Sequence, residues 1–227
     1  MYSRGLTLTA PFADACATPA ARLEEMAEEL ETTEVEAPQQ EHEPEPPALD
    51  PETAARRAAA LAHVRKFGDP VLKSRALPVE RFDDTLREEI GRMTAIMRDG
   101  LGIGLAATQL GVMHRVLVYR IGEDAPLAAL VNPEIQWSSR DSETVEEGCL
   151  SLPGIHVDVE RPLHVRVRAR DEDGEEIEID ASGLEARVIQ HEVDHLDGVL
   201  MLDRTTREQR KQAMRALREA AEAARAA

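Results

Sequence analysis

The chain has 227 residues, 44 acids against 27 Lys and Arg, and a formal net charge of -17. That length holds one domain with a sizeable core, and the acidic balance excludes a protein that binds nucleic acid over its whole surface, so no specific DNA partner is expected. No apolar run reaches the ~20 residues of a membrane span.

Two cysteines, Cys16 and Cys149, are too few for a disulfide framework and fit a reducing compartment; with no secretory signal in the sequence, a cytoplasmic location is expected. Aromatic residues make up only 3% of the chain, so the core must be aliphatic.

The charge is unevenly spread. Residues 21–53 carry twelve acids and one base, Arg22, and seven of the thirteen prolines fall within the first 51 residues. Such a stretch has too little apolar surface to offset the entropy of ordering it. Residues 1–50 therefore read as a mostly disordered acidic extension. Within it, Leu23, Met26, Ala27 and Leu30 share one face of a short helix over Ala21–Glu31. Arg4 and Arg22 give the first residues a weak transit-peptide character, but there is no apolar segment of a secretory signal. The plainer reading is an untargeted tail or a misassigned upstream start, with Met26 as a candidate later start.

The remainder reads as a catalytic domain over 51–205 followed by a basic amphipathic helix over 206–227. Pro51–Arg65 is Ala-rich and helical by propensity. Leu86, Ile90, Met93 and Met97 recur at helical spacing and predict a helix over Asp83–Asp99. Arg115–Ile121 and Leu127–Ile135 read as short strands. Leu163–Asp180 reads as a hairpin turning at Asp173–Gly174. Its Val165, Val167 and Ala169 face one way, and Arg166, Arg168 and Arg170 the other. Further helices are expected over Gly183–Asp197 and Thr206–Ala226. Strands in series around isolated helices give an α+β class.

Three short segments carry chemistry. The first runs from Gln190 to Gly198 and contains His191, Glu192 and His195. On a helix the two histidines project from one face, one turn apart, where two imidazoles can hold a divalent metal beside Glu192 as general base. A chance pattern on a surface helix is the bland alternative. Apolar Val188, Ile189, Val193 and Leu196 around the polar trio weaken it, because ionisable groups amid apolar neighbours need partners.

A catalytic metal site usually takes three protein ligands and leaves one position open. Asp158, Glu160 and the acids of 171–176 each offer a carboxylate. Cys149, in Glu147-Gly148-Cys149-Leu150-Ser151, is the better third ligand, although a lone cysteine is more often a small buried hydrophobe. The last segment, Gly102–Gly111, lacks the Lys-Ser/Thr of a phosphate loop. Its Gln109 is a polar residue in an apolar run, able to donate to a developing oxyanion.

Together the segments Gly102–Gln109, Glu147–Ser151 and Gln190–Leu196 resemble those of the peptide deformylases, in the same order and complete at each defining position. The resemblance runs from about Phe67 to Arg204 and leaves the acidic extension outside. It implies an α+β fold with antiparallel β-sheets packed around a central metal-binding helix. It also implies hydrolytic removal of formate from the N-terminal formyl-methionine of nascent peptides.

By that resemblance Cys149, His191 and His195 ligate one divalent ion, Fe(II) foremost, with Zn, Ni or Co able to replace it. Glu192 moves the proton, and Gln109 and the Leu150 N–H stabilise the oxyanion. Ile103, Gly104 and Gly148 bind the peptide backbone, while Val145, Leu184 and Val188 line the methionine pocket. Glu147 and Arg161 form a supporting ion pair, and Gln190 stands behind the ligands. The basic C-terminal helix suggests docking to the ribosome, against the bland reading of a solvated helix face. The alternatives are a metallopeptidase with Asp203 as its third ligand, a non-catalytic binding domain, and a different N-acyl substrate.

Overall fold

The computed structural model describes residues 49–226 apart from 123; the expected acidic extension and its short helix lie outside the described residues. Helix α1 spans Pro51–Leu61, with the Asp50 carboxylate accepting from the backbone N–H groups of Glu52 and Thr53. Its predicted extent to Arg65 is too long. The chain turns out after Leu61, and the Arg65 N–H donates to the Gln109 carbonyl at 2.7 Å. Helix α2 spans Asp84–Asp99, capped by Asp83, and buries Leu86, Ile90, Met93 and Met97 as their spacing predicts, with Ile96 added.

The glycine-rich segment is not merely a loop. It forms a short strand, β1 (Gly104–Ala106), and a 3₁₀ turn, Ala107–Leu110, which ends at Gly111 in the left-handed region at φ 80°. Strands β2 (Val116–Tyr119) and β3 (Ala128–Ser138) follow. Two further strands, β4 (Ser142–Cys149) and β5 (Leu152–Pro162), pair with each other as a separate antiparallel ribbon that the sequence reading did not assign.

Strands β6 (His164–Arg170) and β7 (Glu176–Ser182) form the predicted hairpin with the predicted alternation. Its connection is a five-residue loop rather than a two-residue turn. The Asp171 side chain closes it by accepting from the N–H groups of Asp173 and Glu175, each at 2.9 Å. The larger sheet has the order β1-β2-β3-β6-β7, with every neighbouring pair antiparallel.

Helix α3 spans Gly183–Leu196, α4 Met201–Arg204 and α5 Arg207–Ala226. Strand β2 is buried on both faces because it separates two cores. Leu117 and Tyr119 pack with Ala186, Ile189, Val193 and Leu196 of α3. Val116 and Val118 pack with Ile90, Met93 and Met97 of α2. Each such fully buried aliphatic side chain contributes roughly 1.5–3 kcal/mol. A third cluster joins Leu152, Val157 and Val159 of β5 to Met201, Leu202 and Ala213, seating α4 and the start of α5.

The fold is therefore α+β. Helix α3 lies with its apolar face on the five-stranded sheet, and its polar face meets the β4–β5 ribbon.

Candidate metal centre and active site

The polar face of α3 and the end of β4 bring the chemistry together. One ligand atom each from Cys149, His191 and His195 lies within 4.8 Å of the others, the single such group of donors among the described residues. The Cys149 Sγ to His195 Nε2 distance is 3.2 Å. Burial pushes the Cys149 thiol up, but the facing imidazoles of His195 and His191 outweigh it and bring it well below the usual thiol range.

Burial likewise pushes the His191 imidazole down, and its bonds to Cys149 and Glu147 leave it raised. A soft thiolate with two imidazoles, converging from the partly exposed end of β4 and from a helix, fits a divalent transition metal. Asp158, Glu160 and Asp203 are elsewhere. Asp158 bonds Gln209, Glu160 bonds Ser142, and Asp203 caps Leu200 and pairs with Lys73 and Arg210.

Glu192 is buried beside the cluster, and its Oε2 has no hydrogen-bond partner. Burial raises its carboxyl above the usual range, against the pull of His191 and His195. A buried carboxylate without a fixed partner is suited to take and return a proton. Room for it depends on Gly104: a Cβ there would lie 2.9 Å from Glu192 Cδ.

Gln109, in the 3₁₀ turn, is oriented by the end of β1. Its Oε1 accepts from the Ala106 N–H at 2.9 Å, which leaves Nε2 aimed at Ser151 Oγ, 3.3 Å, and Cys149 Sγ, 3.6 Å. The Leu150 backbone lies at the same turn.

A cavity of about 730 Å³ opens onto these groups, lined among others by Ile103, Gly104, Gly148, Leu184, Val188 and His156. Val145 is exposed and is not part of that lining. The Ile103 carbonyl already accepts from the Arg120 N–H at 2.9 Å. Gln190 is not brought to the cluster; its amide donates to the carbonyls of Pro162 and Ala186 and ties α3 to β5.

The Glu147–Arg161 pair is present and larger than a pair. Arg161 grips Glu147 at 2.6 and 2.9 Å and reaches Asp194 at 2.9 Å. Arg187 also donates to Glu147, Arg204 clamps Asp194, and Glu147 accepts from His191 Nδ1 at 2.9 Å. Burial alone would raise the Glu147 carboxyl, but His191 and Arg161 hold it down at about 2. The bond to Nδ1 fixes the His191 ring so that Nε2 faces the cluster. The sequence reading missed Arg187, Asp194 and Arg204. Asp194 carried a readable signal, standing three residues after His191 on the same helix face.

This geometry fits a metal-dependent hydrolase, with three converging metal-type donors, a buried carboxylate and the Gln109 amide around one open cavity. The sequence profile described as polypeptide deformylase matches residues 61–211, and the chain belongs to that family. The chain is 48% identical over 144 residues to the peptide deformylase of Thermotoga neapolitana, a stretch covering 63% of this chain and 87% of that protein. It is 47% identical over 152 residues to peptide deformylase 1 of Burkholderia multivorans, covering 66% and 84%.

Among solved structures, the peptide deformylase of Synechococcus elongatus in complex with actinonin superposes with a TM-score of 0.65 at 43% identity, covering 67% of this chain and 85% of that one. Thermotoga maritima peptide deformylase gives a TM-score of 0.61 at 45% identity, covering 63% and 96%. Deformylation of peptides is thus the activity of this chain.

Proposed function

We propose the following division of labour for that activity. Cys149, His191 and His195 hold the ion, Fe(II) foremost, with Zn, Ni or Co as replacements. A divalent ion held there would supply Lewis-acid polarisation and lower the pKa of water toward about 7. Glu192 takes a proton from the water that adds to the formyl carbon. It returns that proton to the amine nitrogen as the C–N bond breaks, so formate and a free N-terminus leave. The Gln109 amide and the Leu150 N–H donate to the oxygen that gains charge in the tetrahedral intermediate.

β1 lies at an edge of its sheet, and its first residue, Gly104, lines the cavity together with Ile103 before it and Gly148 of β4. A peptide N-terminus is read here as an added strand between them, with Ile103, Gly104 and Gly148 as backbone partners. Leu184 and Val188 offer apolar surface to the methionine side chain; Val145 adds to it only if the bound peptide reaches beyond the cavity. The substrate is the formyl-methionyl end of newly made chains in the cytoplasm. The base-rich α5 is the proposed ribosome-facing element.

The observation that carries this reading is the unpartnered Glu192 Oε2 buried beside three converging donors. The test is formate release from formyl-Met-Ala-Ser by metallated protein. Glu192→Ala should keep its metal and lose about 10²–10⁴ of the rate. A fully metallated wild type that releases no formate would send the assignment to another N-acyl substrate.

A further inference from the structure

Three consecutive residues outside the active-site motifs are tied to both of its oxyanion elements. The Arg65 N–H donates to the Gln109 carbonyl at 2.7 Å, and the Phe67 N–H donates to the Ser151 carbonyl at 2.9 Å. Between them, Lys66 Nζ donates to the Leu150 carbonyl at 3.0 Å, across 84 residues of sequence. The Leu150–Ser151 peptide is engaged at its other end as well, since the Ser151 N–H points at Cys149 Sγ, 3.4 Å away. One peptide unit therefore joins the Lys66 ammonium to the ligand sulfur.

A cation on a peptide oxygen polarises the unit and strengthens its N–H as a donor. Hydrogen bonds to a ligating sulfur are among the levers by which a protein tunes a metal centre.

We propose that Lys66 is a positioning residue for the deformylase site, acting through the Leu150–Ser151 peptide on the Cys149 thiolate and fixing the turn that presents the Leu150 N–H. The proposal rests on the reading of Cys149 as a metal ligand. Lys66 is exposed, lies outside the cavity lining and belongs to none of the buried clusters, so its removal should leave the fold intact.

The experiment compares wild type, Lys66→Met and Lys66→Arg, each loaded with Co(II). The thiolate-to-cobalt charge-transfer band reports the electron density on sulfur without any turnover. In Lys66→Met the sulfur loses a polarised donor, so the band should move to longer wavelength. Its kcat should fall about 10-fold, the lower end for partners that stand behind metal ligands, with KM unchanged. Lys66→Arg should restore both, because the guanidinium also donates to a carbonyl with a full charge.

An unmoved band in Lys66→Met overturns the proposal, whatever the rate does. So does an arginine variant as impaired as the methionine one. A wild type with a normal thiolate band and no formate release would instead sink the functional reading alone.

Discussion

Two parts of the molecule are built from the same chemistry, arginine against carboxylate, in opposite surroundings. On the β6–β7 hairpin, Arg166, Arg168 and Arg170 pair with Asp180, Glu134 and Glu176 in full view of solvent. Beneath α3, Arg161 pairs with Glu147 and Asp194 where the side chains retain only 4%, 5% and 9% of their exposure. Exposed pairs gain little, because water already solvates each partner and salt screens the rest.

Buried pairs are coupled differently. Desolvation makes each charge dependent on its partner, so the network is costly to break and costly to build. What it supplies here is geometry: Glu147 links the strand that carries Cys149 to the ring of His191. Asp194 anchors the same helix to Arg161 and Arg204.

The largest effect that would break this contrast is expected at Arg161. Arg161→Met leaves Glu147 and Asp194 buried with only Arg187 and Arg204 as cations. It should destabilise by about 3 kcal/mol, the lower end for removing one member of a buried ion pair. In a chain of this size that lowers the thermal midpoint by about 6–12 °C, measurable by calorimetry. Metal affinity should fall with it, as His191 loses its fixed orientation.

Gln109 lies in the same buried region but accepts no charge in the ground state. Gln109→Leu should cost about 10²–10³ in kcat while the thermal midpoint moves much less, which separates catalytic from structural polarity. At the small end, Arg168→Ala on the hairpin should change stability by less than about 1 kcal/mol, and the change should shrink further in high salt. An Arg168→Ala as damaging as Arg161→Met would mean that burial does not set the value of these pairs.

The proposed catalytic groups were visible in the sequence because each sits in a short segment, and the structure brings those segments together. His191, Glu192 and His195 need only the helical period, whereas Cys149 stood out from an ordinary buried cysteine only through the resemblance of the three segments taken together. The partners that hold them were not legible. Arg161, Arg187 and Arg204 reach their carboxylates across elements, and no local period encodes such a contact.

The β4–β5 ribbon was missed for a related reason. Residues 142–146 of β4 are all exposed, so they show no alternation of burial and owe their extended form to pairing with β5. Ile155, Val157 and Val159 of β5 did carry a period of two, and it was readable. The hairpin turn was misjudged because Asp171, two residues before the Asp-Gly signal, closes a longer loop with its side chain.

Gly104 carries a consequence for how this chain can vary. The edge strand passes so close to α3 that a single extra carbon would enter the space of the Glu192 carboxyl. Every other amino acid has that carbon. Position 104 therefore has no adjacent sequence through which it could drift, whereas Ile103 beside it is half exposed and open to exchange. In a saturation library selected for growth, the strand would return many letters at one codon and one letter at the next. That boundary in tolerance marks, from genetics alone, the line where sheet and helix touch.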